Sequence, residues 1–105
     1  MSDWIDVAEQ GEIAEGGCRV VDVDDIMVAV FHYEGEYYAM EDICTHDGGE
    51  LASGELDGCE VICPRHGARF CIKNGEALTP PAYEDVETYT TRIHDGMVQV
   101  YGEPD

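Results

Sequence analysis

The chain has 105 residues, of which 24 are acidic and 5 are basic, so its formal net charge is −19. This length predicts one domain over residues 1–105, and the charge argues against nucleic acid and anionic lipid as partners because both would repel the protein. The charge would instead speed the encounter with a basic patch on a protein partner. An alternative interpretation is that the acidic surface reflects adaptation to a saline cytoplasm.

The sequence predicts neither a membrane span nor an amino-terminal signal peptide. No apolar run approaches the ~20 residues that cross a bilayer, and "MSDWIDVAEQ" has neither the basic nor the apolar region of a signal peptide. We therefore expect a cytoplasmic protein whose 5 cysteines are reduced and available for a metal. Within residues 4–13, the pattern "WIDVAEQGEI" has room for one short helical turn.

Short β-like runs separated by turn signals make up most of the remaining chain. The predicted strands lie at residues 19–23, 26–33, 37–40, 60–63, 68–72, 87–94 and 97–102. Residue pairs typical of hairpin tips lie between several of them, at Asp24-Asp25, Glu34-Gly35, Asn74-Gly75 and Asp95-Gly96. The pattern predicts an all-β fold of stacked antiparallel sheets or a small open barrel.

Residues 26–33 are apolar on both faces of the predicted strand, which indicates a strand in the interior of a sheet. His32 and His94 lie in predicted strands, so we expect ordinary structural roles for both. Tyr37 and Tyr38 are predicted to fill the core rather than to relay electrons.

Residues 43–68 are rich in Gly and Asp and hold two Cys/His pairs. "CTH" supplies Cys44 and His46, and "CPRH" supplies Cys63 and His66, in the pattern C-x-H-x16-C-x2-H. Zinc accepts two thiolates and two imidazoles, but zinc sites more often take two cysteines from one loop and two histidines from the other. Here each loop offers one cysteine and one histidine. That arrangement favours a two-iron cluster in which one iron takes both thiolates and the other takes both imidazoles. Glycines that would let backbone amides approach the cluster are Gly48, Gly49 and Gly67.

"CTH" and "CPRHG" at this separation resemble the Rieske [2Fe–2S] family, and the similarity runs from "AVFHYEGEYYAMEDICTH" through "CPRHGARFCIKNGEALTPPAYEDVETY". The chain looks most like the soluble Rieske-type ferredoxins of bacterial ring-hydroxylating oxygenase systems. The resemblance implies small stacked antiparallel sheets with two cluster-binding loops at one end. It also implies that Cys44 and Cys63 bind the buried iron, and that His46 and His66 bind the outer iron. "LTPPAY", residues 78–83, resembles the proline-containing loop that shields the cluster in that family.

The function implied by this resemblance is one-electron transfer from a flavin-dependent ferredoxin reductase to a terminal non-haem iron oxygenase. Such a carrier is not itself an enzyme, and we expect a monomer that meets its partners transiently. A fixed subunit of another redox enzyme, such as a nitrite reductase small subunit, remains open, as do an iron–sulfur-assembly ferredoxin and a redox sensor. An oxygenase catalytic subunit would need a second domain with a two-histidine, one-carboxylate iron site, and the chain is too short for that domain.

Departures from respiratory Rieske proteins predict a low reduction potential. Gly49 and Arg65 stand where those proteins carry a disulfide, and Ala68 and Phe70 stand where they carry hydroxyl groups beside the cluster. We therefore expect a potential near the negative end of the class, around −150 mV.

The remaining cysteines, Cys18, Cys59 and Cys71, are predicted to be buried free thiols that pack as small hydrophobes, since four ligands already complete the cluster. Arg65 and Arg69 lie beside a predicted ligand, and for both a partner contact and simple solvation stay open.

Overall fold

The computed structural model describes residues 3–43, 51–64, 67–79 and 84–104, and all the regular secondary structure in these ranges is β-strand. In chain order the strands are β1 (Trp4–Glu9), β2 (Cys18–Val23), β3 (Ile26–Tyr33), β4 (Glu36–Glu41), β5 (Leu56–Asp57), β6 (Glu60–Ile62), β7 (Arg69–Cys71), β8 (Thr88–His94) and β9 (Met97–Pro104). They form a six-stranded sheet in the order β1-β9-β8-β4-β3-β2 and a three-stranded sheet in the order β5-β6-β7. The predicted all-β fold is confirmed. Within the described ranges, no helix is long and apolar enough to cross a membrane.

Three tight hairpins follow from residue pairs that accept a positive φ at both turn positions. Asp24 and Asp25 have φ of 51° and 69°, and the pairs Glu34-Gly35 and Asp95-Gly96 each combine φ of 51° and 77°. This backbone geometry matches the right-handed twist of the strands that it joins. The predicted β2–β3, β3–β4 and β8–β9 hairpins are therefore confirmed. The chain also reverses after Asn74-Gly75, but it returns through a single bridge between Phe70 and Ala77 rather than through a full strand.

The amino-terminal segment corrects one prediction. Within residues 4–13, where the sequence left room for one short helical turn, residues 4–9 form β1. This strand pairs antiparallel with β9 and sets Trp4 opposite Tyr101 and Ile5 opposite Val100. The aromatic and β-branched side chains of this segment favour an extended backbone once a partner strand is present. The two-residue strand β5 was not predicted, because so short a segment shows no alternation of apolar and polar residues.

The middle of β3, residues 28–31, is buried on both faces because it separates two hydrophobic cores. Val28 and Val30 point into a core enclosed by the six-stranded sheet, whose edge strands β1 and β2 approach each other. Ala29 and Phe31 point into a second core on the opposite face. The alternation of side chains along a strand thus explains its unbroken apolar sequence, and its predicted interior position is confirmed.

The second core lies between the large sheet and the three-stranded sheet. Phe31 and Met40 from the large sheet pack in one cluster with Val61, Phe70 and Ile72, and each of these side chains is at most 1% exposed. Burial of a large apolar side chain stabilises the fold by about 1.5–3 kcal/mol. This packing holds the β6–β7 hairpin, which carries the second predicted ligand pair, in a defined place on the large sheet.

The other histidine and tyrosine predictions agree with the packing. His32 Nδ1 lies 2.7 Å from the carbonyl oxygen of Ile13, and its ring stacks on Tyr37 with centroids 4.5 Å apart. Tyr37 is buried in the core inside the six-stranded sheet, and Tyr38 packs against the other core. His94 is exposed at the end of β8.

Candidate metal centre

Of the four predicted ligands, Cys63 lies in the described part of the chain. Cys44, His46 and His66 lie outside the described residues, as do Gly48, Gly49 and Arg65. The predicted shielding loop is described only at Leu78 and Thr79. Across the described ranges, no three metal-ligating side chains come together, which is expected when three of the predicted ligands fall outside those ranges. The site is therefore built from the residues on which the two predicted ligand loops rest.

The second ligand loop is closed by two hydrogen bonds at the tip of the β6–β7 hairpin. The N–H of Cys63 donates to the carbonyl oxygen of Ala68 at 2.7 Å, and the N–H of Gly67 donates to the carbonyl oxygen of Cys63 at 3.0 Å. Gly67 has a φ of 74°. The loop is short and braced by backbone contacts, so the backbone of Cys63 is held by the hairpin.

Cys63 has the properties that a thiolate ligand needs. Its side chain is free of any disulfide, is 1% exposed, and packs in the same core cluster as Ala68 and Phe70. A cavity of about 340 Å³ borders it, lined by Ser53, Gly54, Glu55, Ile62, Cys63 and Pro64. A buried soft sulfur donor at the end of a braced hairpin fits one ligand of an iron–sulfur cluster.

The first ligand loop is anchored at its end by Asp42. The carboxylate oxygen Oδ1 of Asp42 accepts the N–H of Leu51 at 2.7 Å and the N–H of Ala52 at 2.8 Å. The thiol of Cys18 donates to the carbonyl oxygen of Ala52 at 3.2 Å. One carboxylate thus ties together the described residues on either side of the first predicted ligand loop. Sequence reasoning missed Asp42, although an acidic residue just before a glycine-rich ligand loop is a detectable signal for such a contact.

The bases of the two ligand loops are in direct contact. A Cβ on Gly54, which follows the first loop, would lie 2.0 Å from the carbonyl oxygen of Ile62, so only glycine allows this approach. The N–H of Ile62 donates to the carbonyl oxygen of Glu55 at 2.9 Å. Ile62 directly precedes Cys63. The fold therefore brings into contact the described residues that follow the first predicted Cys/His loop and those that precede the second.

Arg69 anchors the beginning of the predicted shielding loop. The N–H of Arg69 donates to the hydroxyl of Thr79 at 3.0 Å, and its carbonyl oxygen accepts the N–H of Leu78 at 2.8 Å. Its guanidinium lies 2.9 Å from Asp57 and 3.3 Å from Glu60, and these hydrogen bonds raise the pKa of Arg69. Arg69 is therefore paired within the chain rather than simply solvated.

The three additional cysteines differ from their prediction. Cys18, Cys59 and Cys71 are free but only half-buried. Cys18 begins the edge strand β2, Cys59 precedes β6, and Cys71 ends β7. These positions lie at the margins of the sheets, where the core does not enclose a side chain completely. The prediction that all three are buried is wrong, whereas Cys18 and Cys59 do pack against the second core as small hydrophobes.

Comparison with known proteins shows the family to which the chain belongs. Residues 3–90 match the model of the Rieske [2Fe–2S] domain. The ferredoxin component of the naphthalene 1,2-dioxygenase/salicylate 5-hydroxylase systems of Ralstonia sp. is 37% identical over 98 residues, which cover 93% of this chain and 94% of that protein.

Solved structures show the same similarity in three dimensions. A chain in the complex of reduced oxygenase and oxidized ferredoxin in carbazole 1,9a-dioxygenase superposes with a TM-score of 0.92 and 31% identity, covering 97% of this chain and 95% of that chain. The ferredoxin of carbazole 1,9a-dioxygenase from Nocardioides aromaticivorans IC177 superposes with a TM-score of 0.88 and 25% identity, covering 92% of this chain and 95% of that chain.

Proposed function

Since this chain belongs to the Rieske [2Fe–2S] domain family, we propose that it is an electron carrier, the ferredoxin component of a ring-hydroxylating oxygenase system. The observation that carries the proposal is the contact between Gly54 and Ile62, which sets the bases of both Cys/His loops side by side. Related chains are named ferredoxin components of dioxygenase systems, and such components carry electrons rather than catalyse the oxygenation.

Cys44, His46, Cys63 and His66 are the residues that would hold one [2Fe–2S] cluster, within one domain formed by residues 1–105. The buried thiol of Cys63 supports this assignment, as does a donor set of two thiolates and two imidazoles. When bound, the cluster supplies a centre that takes up and releases one electron. The surrounding residues hold the ligand loops in place and keep water from the sulfur of Cys63.

The partners in this proposal are a flavin-dependent reductase that donates the electron and a terminal non-haem iron oxygenase that accepts it. Both encounters would be transient and steered by the net charge of −19, with the carrier acting as a cytoplasmic monomer. A related ferredoxin occurs in a complex with its oxygenase, which supports the second encounter.

The carrier would work at low potential. Ala68 and Phe70 are both fully buried beside Cys63 in the same core cluster, and neither bears a hydroxyl group. Without such donors, the additional negative charge of the reduced state is less stabilised. This supports a potential near the negative end of the class, around −150 mV.

Metal analysis of the purified protein tests the proposed centre. We expect iron and acid-labile sulfide at about two of each per chain; one zinc per chain without sulfide would contradict the proposal. Cys63→Ser should lose the iron and the visible absorbance. The matched variant Cys71→Ser should keep both, because Cys71 is a half-buried cysteine at the far end of the same hairpin.

A second experiment separates a mobile carrier from a fixed subunit of another redox enzyme. A mobile carrier elutes alone from a sizing column at moderate salt, and it is reduced by a flavoprotein reductase and reoxidised by an oxygenase in repeated cycles. Stable co-elution with one large partner at high salt would favour the fixed subunit instead.

A further inference from the structure

Cys59 and Cys71 form a pair of thiols at the end of the β6–β7 hairpin that lies opposite the ligand loop. The thiol of Cys71 donates to the sulfur of Cys59, with the two Sγ atoms 3.9 Å apart. Neither residue belongs to the predicted ligand set, and both are half-buried and free. Two sulfurs at this separation are in van der Waals contact, so a small side-chain rotation could bring them to the ~2.05 Å of a disulfide.

The Cα separation expected from the strand register falls within the range of a disulfide. The N–H of Ile72 donates to the carbonyl oxygen of Cys59 at 2.8 Å, and Glu60 lies opposite Cys71. Cys59 is therefore one residue out of register with Cys71, an offset that places side chains on opposite faces of a regular antiparallel pair. Cys59 lies just before β6, however, and its sulfur meets that of Cys71 there. Opposed Cα atoms about 5 Å apart and a rise of about 3.4 Å give roughly 6 Å between the Cα atoms of the two cysteines. Disulfides usually span 4.4–6.8 Å between Cα atoms.

The surroundings of this pair distinguish it from the other described cysteines. Cys63 is buried, and the thiol of Cys18 donates to the carbonyl oxygen of Ala52. Burial, followed by the neighbouring Cys71, raises the pKa of Cys59, while the positive charge of Lys73 opposes the shift. A thiol in this setting reacts faster as the pH rises, because the thiolate is the attacking species.

We propose that Cys59 and Cys71 are a dithiol modification site, which low-molecular-weight disulfides of the glutathione class oxidise reversibly to an intramolecular disulfide. One thiol loses its proton and attacks a sulfur of the small disulfide. This step forms a mixed disulfide and releases one small thiolate. The second protein thiol, as its thiolate, then attacks the mixed disulfide, forms the Cys59–Cys71 bond and releases the second small thiolate. In total, two protein thiols are oxidised and one small disulfide is reduced to two thiols.

The bond would close residues 59–71 into a ring that contains the whole second ligand loop. It would join β6 and β7 covalently at the end of the hairpin remote from Cys63, where the strands already meet through the Ile72 to Cys59 hydrogen bond. The site does not depend on the proposed electron-carrier function, because neither sulfur belongs to the proposed ligand set. Its test therefore fails or succeeds separately from the metal analysis.

The test equilibrates the purified protein, with its bound metal, against defined ratios of oxidised to reduced glutathione at neutral and at mildly alkaline pH. Free thiols are then alkylated and the digested protein is mapped by mass spectrometry. We expect loss of alkylation at both cysteines together, a peptide pair linked through Cys59 and Cys71, and full reversal by dithiothreitol. The link should form faster at the higher pH.

Single variants test the pairing itself. In Cys59→Ser and in Cys71→Ser, the remaining thiol should accumulate a stable mixed disulfide with glutathione, because the resolving thiol is absent. Cys18→Ser serves as the matched control and should still form the 59–71 link. If the wild-type protein at equilibrium links either cysteine to Cys18 instead, or keeps both as free thiols at the highest oxidised fraction, the proposal is wrong.

Discussion

The carboxylate of Asp42 stabilises the end of the first predicted ligand loop. Oδ1 of Asp42 accepts two backbone N–H groups, those of Leu51 and Ala52, and the side chain of Leu51 is fully buried. Hydrogen bonds to a charged acceptor contribute about 1.5–3 kcal/mol each, and an amide left unpaired in a buried place costs a comparable amount. Asp42 therefore ties the end of the loop to the end of β4.

Replacement of Asp42 should destabilise the end of the first predicted ligand loop. Asp42→Ala removes both hydrogen bonds and should lower the free energy of unfolding by about 3–6 kcal/mol. It should also reduce the iron content, as measured by urea denaturation and by metal analysis. Asp42→Asn keeps one acceptor oxygen and should fall between the wild type and the alanine variant. Asp22→Ala removes an exposed hydrogen bond from the N–H of Asp25 and serves as the control. If it reduces the iron content as much as Asp42→Ala, the role assigned to Asp42 is wrong.

A hydroxyl group beside Cys63 should raise the potential. The carbonyl oxygen of Ala68 accepts the N–H of Cys63 at 2.7 Å, so Ala68→Ser places a donor next to this ligand. With about 1 kcal/mol of differential stabilisation and ~59 mV per ~1.4 kcal/mol for one electron, the potential should rise by roughly 40 mV. Protein-film voltammetry measures the shift.

The control for this variant is Ala39→Ser, which adds a hydroxyl in the core inside the six-stranded sheet. It should leave the reduction potential unchanged. Equal shifts of the potential in both variants would contradict the effect assigned to a hydroxyl at position 68. Phe70→Tyr is measured separately, because Phe70 is fully buried opposite Val61. A new hydroxyl there costs about 1–3 kcal/mol unless it finds a hydrogen-bond partner.

At the scale of strands and loops, the turn between β3 and β4 is attached to the loop that precedes β2. The carboxylate of Glu15 accepts the N–H groups of Glu34 and Gly35, and it lies 3.6 Å from Nε2 of His32. The hydrogen bond from Glu34, then that from Gly35, and more weakly His32, lower the pKa of Glu15 below its usual 4.5. The ionised carboxylate thus stabilises this junction.

The sign of the pH dependence follows from that lowered pKa. The stabilising contribution of Glu15 is present above its unfolded-state pKa near 4.5, and it is lost as the pH falls through the lower folded-state pKa. In Glu15→Gln, the fall in the free energy of unfolding between neutral pH and pH ~3 should be smaller than in the wild type. Urea denaturation at both pH values measures it. Glu36→Gln, an exposed change on the same hairpin, is the control, and an equal effect there would contradict the assignment to Glu15.

For the whole molecule, electrostatics is dominated by acidic groups. The net charge is −19, and several of the few basic side chains are engaged within the chain. Arg69 pairs with Asp57, Arg92 lies over the ring of Trp4 at 4.1 Å, and Lys73 lies over the ring of Tyr33 at 5.9 Å. The surface therefore offers an excess of negative charge to any partner.

Salt should slow the delivery of electrons to this protein. We expect the second-order rate of reduction by a flavoprotein reductase to fall as ionic strength rises from 0.01 to 1 M, over which the Debye length shrinks from ~30 to ~3 Å. Stopped-flow measurement of visible absorbance follows the reaction. An uncharged chemical reductant is the control and should show a nearly constant rate. A reductase rate that is equally indifferent to salt would favour an apolar or permanent interface.

The sequence alone determined the features that depend on single residues or short segments. The Asp24-Asp25 and Asp95-Gly96 hairpins follow from the ability of Asp and Gly to take a positive φ, which is a local steric property. In the third hairpin this property accounts for Gly35, whereas Glu34 has a φ of 51° without such a preference. The all-β class follows from the strand-length apolar runs between those turns. The predicted centre follows from residue types at a fixed spacing, and that prediction could be made before any three-dimensional arrangement was known.

Only the tertiary structure decided which residues become neighbours across strands. It made residues 4–9, where the sequence left room for a helical turn, into β1, because β9 offered this segment a partner strand. It also joined Asp42 to Leu51, set Gly54 against Ile62, and brought the sulfurs of Cys59 and Cys71 together. The physical reason is that such contacts depend on strand register and on the packing of one sheet against another. Both are set by the burial of the two cores as a whole, and no short stretch of sequence carries that information.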